Sequence, residues 1–318
     1  MTPVIAIHGG AGTINRNALS SEQERNYLEA LDHVLAGGQA VLEKGGSALD
    51  AVTEAVFRLE ECPLFNAGKG AVFTHEGTHE LDASIMDGST LAAGGVACVK
   101  SIRNPIRAAR AVLEDGRHVL LVGTGAEQFA YHAGLEIVSP DYYFTEERHA
   151  QWRMALATAS TDLLDHDAQH LVQVCAPLDP ETKMGTVGAV ALDASGKLAA
   201  ATSTGGVTNK RAGRVGDSPF IGAGCYANST VAVSCTGSGE MFMRLLVAYD
   251  ISARMEYCKL PLDEACRIVV MEKLPAIDGR GGLIAVDRQG NICMPFNTEG
   301  MYRGQAHAGG QRHTAIYT

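Results

Sequence analysis

Between Thr186 and Thr204 the chain spells out a β-hairpin, and no other stretch limits the fold as much. Thr186 to Leu192 is rich in Val and Ala, Asp193-Ala194-Ser195-Gly196 is a turn signal, and Lys197 to Thr204 reads as a second strand. The segment before it has the opposite character. From Leu135 to Met184 there is no glycine, although glycine supplies 36 of 318 residues, and the run is dense in polar residues, His and Ala. It reads as a solvated connector that meets a strand at Gly185-Thr186.

A threonine at that junction can carry chemistry. Its hydroxyl is a poor nucleophile unless a base sits beside it, and one solution is for the residue's own freed α-amine to be that base. This requires cutting the chain just before Thr186. Gly185 suits the cut, because a residue without Cβ tolerates unusual backbone and lets a hydroxyl approach its carbonyl. The plainer alternative is that Gly185-Thr186 only starts a strand.

At 318 residues, with apolar residues and glycine spread evenly, the chain fits a single layered domain. A net charge of −10 disfavours nucleic acid and anionic membrane as partners. The N-terminus has no charged leader and only a short apolar run, so the expected location is cytoplasmic. The eight cysteines form no CxxC pair and read as reduced core residues.

In order, Val4 to Ile7 is a short strand entering a loop, His8-Gly9-Gly10-Ala11-Gly12. Ser21 with Glu24, and Ser47 with Asp50, read as helix starts, the second helix presenting Ala51, Val52, Ala55, Val56 and Leu59 as one apolar stripe. Glu60 to Gly70 is a turn-rich loop able to point carbonyls at a hard cation. Ala71 to Phe73, Leu81 to Met86, Gly95 to Val99 and Val119 to Val122 read as strands, Pro105 starts a helix, and Gly123-Thr124-Gly125 reads as a loop. Further on, Val231 to Cys235 is a strand, Glu240 to Tyr257 and Leu262 to Leu274 are helices, and Gly281 to Val286 with Ile292 to Pro295 close the sheet.

His75-Glu76-Gly77-Thr78-His79 matches the HExxH zinc-protease pattern. That chemistry needs both histidines on one helical face, whereas Gly77, two threonines and strand-like flanks predict a hairpin tip. Gly123-Thr124-Gly125 lacks the rest of a dinucleotide fingerprint, and no phosphate-binding GxxxxGK[ST] occurs.

Around Thr186 the parts for amide hydrolysis accumulate. Thr204, ending the partner strand, can support its hydroxyl. Thr236-Gly237, at a strand-to-helix turn, can stabilise an oxyanion. Arg214 can grip a carboxylate and Asp217 an ammonium. The duller reading makes Arg214 and Asp217 a solvated pair and Thr236 an N-cap.

At these residues the sequence resembles the plant-type L-asparaginase/isoaspartyl peptidase family of N-terminal nucleophile hydrolases. The resemblance spans nearly the whole chain through His8 to Gly12, Asn66-Ala67-Gly68, Leu81-Asp82-Ala83 with Met86-Asp87-Gly88, Gly185 to Val190, Thr202 to Gly206, Gly213 to Pro219 and Thr236 to Glu240. It implies an α+β fold, a four-layer αββα sandwich, made as one precursor domain that cleaves itself into 1–185 and 186–318. The two pieces stay together, two such heterodimers form a heterotetramer, and a flexible connector covers about 149–185. By resemblance, Thr186 is the nucleophile, Thr204 supports it, Thr236 and Gly237 form the oxyanion hole, and Arg214, Asp217 and Gly239 hold the substrate's α-groups. Asn66 is a supporting residue. Carbonyls of Leu59, Glu60, Cys62, Phe65, Ala67 and Lys69 would bind a structural Na+, and no cofactor enters the chemistry. Ser238 stands where relatives often carry threonine.

The implied activity is hydrolysis of β-aspartyl peptides and L-asparagine through a β-aspartyl ester. A glycosylasparaginase is the alternative within the fold, against which Gly185, where such enzymes commonly carry Asp, and the missing signal peptide both count. A metalloprotease and a non-enzymatic binding protein are the readings from other classes.

Overall fold

The computed structural model describes residues 2–14, 16, 19–157 and 185–318. In chain order these form β1 (Val4–Gly12), α1 (Ser21–Glu43), α2 (Ala48–Glu61), β2 (Leu81–Asp87), β3 (Ala93–Val99), α3 (Pro105–Asp115), β4 (Leu120–Val122), α4 (Gly123–His132) and α5 (Glu146–Ala157). After the undescribed stretch come β5 (Val187–Leu192), β6 (Leu198–Thr204), β7 (Cys225–Ala227), β8 (Val231–Gly237), α6 (Gly239–Leu245), α7 (Val247–Tyr257), α8 (Leu262–Ile268), β9 (Gly281–Asp287), β10 (Ile292–Cys293), β11 (Gly300–His307) and β12 (Arg312–Ala315).

The strands form an eight-stranded sheet, ordered β12-β11-β1-β5-β6-β2-β3-β4, and a four-stranded sheet, ordered β10-β9-β8-β7. Every pairing is antiparallel except β3 with β4. Alternation along the strands sorts the core. Ile5 and Ile7 of β1 and Val187, Ala189 and Ala191 of β5 pack with α1, α2 and α3. Val4, Ala6, Val190 and Leu192 point the other way, against Ala232, Ile284 and Val286 of the smaller sheet. Both faces are buried, as period-2 side chains require when a sheet is covered on each side. On the outer face of the smaller sheet Phe242, Val247, Ile251, Leu262 and Val269 form the last apolar layer. The result is the four-layer αββα sandwich.

Several local expectations change. The start of α1 is capped by Ser20 with Gln23, one residue ahead of Ser21 with Glu24. Ser47 caps α2 as expected, Asp50 N donating to its Oγ at 3.1 Å. His8 to Gly12 is strand, not loop, with a bulge between His8 and Gly10. Ala71 to Phe73 is not strand, and Gly123-Thr124-Gly125 opens α4. The helix expected from Glu240 to Tyr257 breaks at Leu246, which adopts φ 49° and is half exposed. β11 and β12 were not anticipated.

The described start of the expected connector is helical. Part of 149–185 is α5, whose Arg148 is buried, and Tyr143, upstream of it, is fully buried. The remainder of that connector, 158–184, lies outside the described residues.

Candidate active site

Thr186 precedes β5, and the antiparallel register sets Val187 opposite Ser203, which brings Thr204 beside Thr186. Thr186 Oγ1 donates to Thr204 Oγ1 at 3.3 Å and lies 3.3 Å from Ser218 Oγ. All three residues are buried. Thr204 Oγ1 is fixed from behind by Gly206 N at 3.0 Å. Ser218 lies within the Gly213 to Pro219 motif. Its carbonyl accepts from Ser84 Oγ at 2.6 Å, which pins it beside the threonine pair.

These groups open on a small cavity lined by Gly185, Thr186, Thr204, Gly206, Val207, Arg214, Gly216, Asp217, Ser218, Gly237 and Gly239. Gly237 reaches the cavity wall with φ 150°, and a Cβ there would lie 2.2 Å from Arg280 O, so glycine is required. Thr236 is wholly buried behind it, with Oγ1 accepting from Ala11 N at 3.2 Å.

Arg214 and Asp217 both line this cavity; Asp217 is buried, and Arg214 pairs with Glu240, whose side chain is half exposed. Arg214 donates from Nε and Nη2 to the two oxygens of Glu240, each at 2.8 Å. One edge of its fork is therefore already engaged by a carboxylate of the chain. Asp217 is 2% exposed and its Oδ2 has no hydrogen-bond partner. Burial pushes its carboxyl up to about 7, with the positive charge of Arg214 opposing. A Cβ at Gly239 would sit 3.0 Å from Asp217 Oδ1 and 3.1 Å from Arg214 Nη2, so the missing side chain leaves a gap between the two charges.

Behind Thr186 the sheets meet through a polar chain absent from the sequence reading. His8 Nε2 lies 2.9 Å from Ser234 Oγ, which lies 2.7 Å from Thr202 Oγ1. Burial drives the His8 ring down to about 3, so it is neutral throughout the physiological range.

The loop from Leu59 to Lys69 folds tightly. Gly68 takes φ +50°, and a Cβ there would fall 2.3 Å from Glu60 O. Asn66 carries the loop to the threonines, since its Nδ2 donates to Gly206 O at 2.6 Å and its carbonyl accepts from Gly205 N at 3.1 Å. The Glu60 side chain turns inward to accept from Ser203 Oγ at 2.6 Å, and burial pushes its carboxyl up to about 8. Of the six carbonyls expected to face a cation, those of Leu59, Cys62, Phe65 and Ala67 each accept a backbone N–H within the loop.

His75 to His79 forms a turn closed by Thr74 Oγ1 and Thr78 Oγ1 at 2.9 Å. His75 Nδ1 faces Asn209 and His79 Nδ1 faces the Val72 carbonyl, so the rings do not converge. Among the described residues no group of three His, Cys, Asp or Glu could hold a metal.

Two stacked, mainly antiparallel sheets between helical layers define the N-terminal nucleophile hydrolase class. The asparaginase family matches residues 1–316, and the chain belongs to that family. It is 60% identical over 315 residues to the isoaspartyl peptidase of Escherichia coli, covering 99% of this chain and 96% of that protein. It is 40% identical to the isoaspartyl peptidase/L-asparaginase of Xenopus laevis, covering 100% and 96%. It is 42% identical to the plant-type L-asparaginase of Pyrococcus abyssi, covering 93% and 94%.

Proposed function

We propose that this chain is a self-activating threonine hydrolase that cleaves β-aspartyl peptides and L-asparagine, releasing L-aspartate. The observation that carries the reading is one cavity lined by Thr186, whose Oγ1 lies within 3.3 Å of two hydroxyls, and by Arg214 and the buried Asp217, whose Oδ1 borders the gap at Gly239. A zwitterionic amino-acid head completes that site. Its ammonium pairs with the Asp217 carboxylate beside Gly239, and its carboxylate meets the part of the Arg214 fork that Glu240 leaves free. Only an aspartyl unit linked through its side chain has both α-groups free, which selects β-aspartyl amides over ordinary peptides. The relatives, each named for one or both of these activities, support the assignment.

In the intact chain Thr186 N is an amide and cannot act as a base. Thr186 Oγ1 attacks the Gly185 carbonyl carbon, the acyl group moves from N to O, and water hydrolyses the ester. The products are a Gly185 carboxylate and a free Thr186 amine, with a reference pKa of about 7.7–8.0. That amine then takes the Thr186 hydroxyl proton, Oγ1 attacks the substrate's side-chain carbonyl, and the amine gives the proton to the departing ammonia or peptide amine. Gly237 N–H with the Thr236 hydroxyl is assigned to the developing oxyanion. Water finally hydrolyses the β-aspartyl ester. The single domain would thus mature into 1–185 and 186–318.

The 59–69 carbonyls are assigned to a structural Na+ that stiffens the loop and enters no chemical step. Two processed copies are assigned to a heterotetramer, for which exposed apolar side chains such as Val119, Val122, Phe220, Leu246 and Tyr249 are available. No helix among the described residues is long and apolar enough to cross a membrane. The location proposed is cytoplasmic.

Denaturing intact-mass spectrometry of wild type and Thr186→Ala, incubated side by side, tests the mechanism. The expected result is two fragments from wild type, one starting at Thr186, and an uncut variant. Full-length wild type that still hydrolyses β-aspartyl dipeptides would sink the freed-amine mechanism.

A further inference from the structure

Arg148, on α5, is 3% exposed, and no carboxylate among the described residues pairs with it. Its Nε donates to Gly70 O at 2.7 Å, its Nη2 reaches Leu64 O at 3.5 Å, and its Nη1 donates to Gln151 Oε1 at 3.2 Å. Taking a guanidinium out of water is costly, and among the described residues this charge is met by two backbone carbonyls and the neutral Gln151 side chain, not by a carboxylate. Both carbonyls belong to the loop that carries Asn66, one two residues before it and the other four residues after. The arginine therefore clamps that loop on both sides of Asn66.

From Asn66 the contacts continue without a gap to the threonines. Gly205 N donates to Asn66 O at 3.1 Å, Asn66 Nδ2 donates to Gly206 O at 2.6 Å, Gly206 N donates to Thr204 Oγ1 at 3.0 Å, and Thr204 Oγ1 takes the Thr186 hydroxyl at 3.3 Å. The helix bearing the arginine is anchored independently. Trp152 stacks on Phe73 with ring centroids 5.7 Å apart and covers Gly77, where a Cβ would fall 3.0 Å from the indole. The oxygens Arg148 uses, on Leu64 and Gly70, are not among the six assigned to the cation. Arginine and ion hold the same loop by different atoms.

We infer that Arg148 is a positioning residue for the threonine centre, holding the Leu64–Gly70 segment so that Asn66 fixes the Thr204–Gly206 turn against Thr186. The inference rests on the threonine-nucleophile reading. It makes α5 a working part of the mature enzyme, not dispensable connector, so trimming that spares α5 is tolerated and trimming into it is not. The substrate clamp of Arg214 and Asp217 lies on other elements, so the loss falls on turnover and not on binding.

The test uses full-length Arg148→Ala and Arg148→Lys, with self-cleavage followed by intact mass and kcat and KM measured on a β-aspartyl dipeptide. Each is run with guanidinium chloride at about 50 mM, far below the molar range that unfolds proteins, or with sodium chloride at equal strength. Expected for Arg148→Ala is a cleavage rate or kcat down roughly tenfold with KM within about twofold. Guanidinium, entering the vacated site, restores activity at least about threefold, and sodium chloride does not. Unchanged kcat and cleavage, a loss confined to KM, or a loss indifferent to guanidinium overturns the inference. If Arg148→Ala does not fold, Arg148→Lys decides. A charge without the planar fork should leave kcat at least about threefold low at unchanged KM, and wild-type kcat overturns the role. Wild type that never cuts at Thr186 is failure of the parent reading, visible before any Arg148 variant is compared.

Discussion

At the scale of single residues, Asp217 ties stability to function. Burial raises its carboxyl to about 7 in the folded chain, against about 3.9 in the unfolded one. A carboxyl raised on folding contributes stability that is fully present below the unfolded value and is lost as pH rises through the folded value. Ligand-free protein should therefore carry a penalty above pH 7 that Asp217→Asn, unable to ionise, escapes. The expected result is a variant melting several degrees above wild type at pH 8 and level with it near pH 4, for a penalty of about 4 kcal/mol. L-Aspartate should reverse the order at pH 8, because its ammonium pairs with the ionised wild-type carboxylate. A melting difference that ignores pH would refute the buried, unpartnered carboxylate. Thr186, Thr204, Arg214, Asp217 and Gly239 were legible in the sequence because each sits in a short motif with its neighbours. The Arg214–Glu240 fork, Ser218 beside Thr186, and His8 against Ser234 were not. These are chosen by folded geometry, and the last pair is 226 residues apart in sequence.

Among the elements, strands with dense Val and Ala were legible, since burial on both faces leaves a mark in composition. β11 and β12 were not, because Tyr302-Arg303-Gly304-Gln305 and Arg312-His313-Thr314 carry polar side chains at the margin of the large sheet, where burial is partial. The glycines of β1 likewise suggested a loop, yet the bulge at Gly9 has a packing cause: a Cβ there would meet the Phe65 ring at 2.4 Å. Gly188 of β5 shows the same constraint at the contact between the two sheets. A Cβ would fall 2.0 Å from Ser234 Oγ, 2.5 Å from His8 Nε2 and 2.9 Å from Ala201 O. Those atoms belong to the hydrogen-bonded chain that fixes the sheets, and none is the free end of a long side chain. Gly188→Ala should separate β5 from β8, costing about 3 kcal/mol or more by overpacking and by breaking buried hydrogen bonds. Thermal melting and soluble yield read this directly, and a variant melting within a degree of wild type would show that the sheets yield locally.

For the whole molecule, strand order decides what cleavage can do. In the large sheet β1, β2, β3 and β4 come from before Thr186, and β5, β6, β11 and β12 come from after it. The order β12-β11-β1-β5-β6-β2-β3-β4 alternates between the two pieces, with β1 held between β11 and β5, and β2 between β6 and β3. Three strand pairings, β11 with β1, β1 with β5, and β6 with β2, therefore join the pieces after the peptide bond is gone. Pulling the pieces apart exposes Ile5, Ile7, Val187, Ala189 and Ile85, all fully buried, and leaves strand edges unpaired on both sides. Cleavage should thus change the covalent chain without dividing the folding unit. The processed protein should unfold in one calorimetric transition, and native mass spectrometry should show the two fragments together, at twice their summed mass if two copies pair. Either fragment expressed alone should be insoluble or unfolded, because each lacks the strands that flank its own. Two resolved transitions, or a fragment from residue 186 onward that folds by itself, would mean that the interleaved sheet contributes less cohesion than its pairing implies.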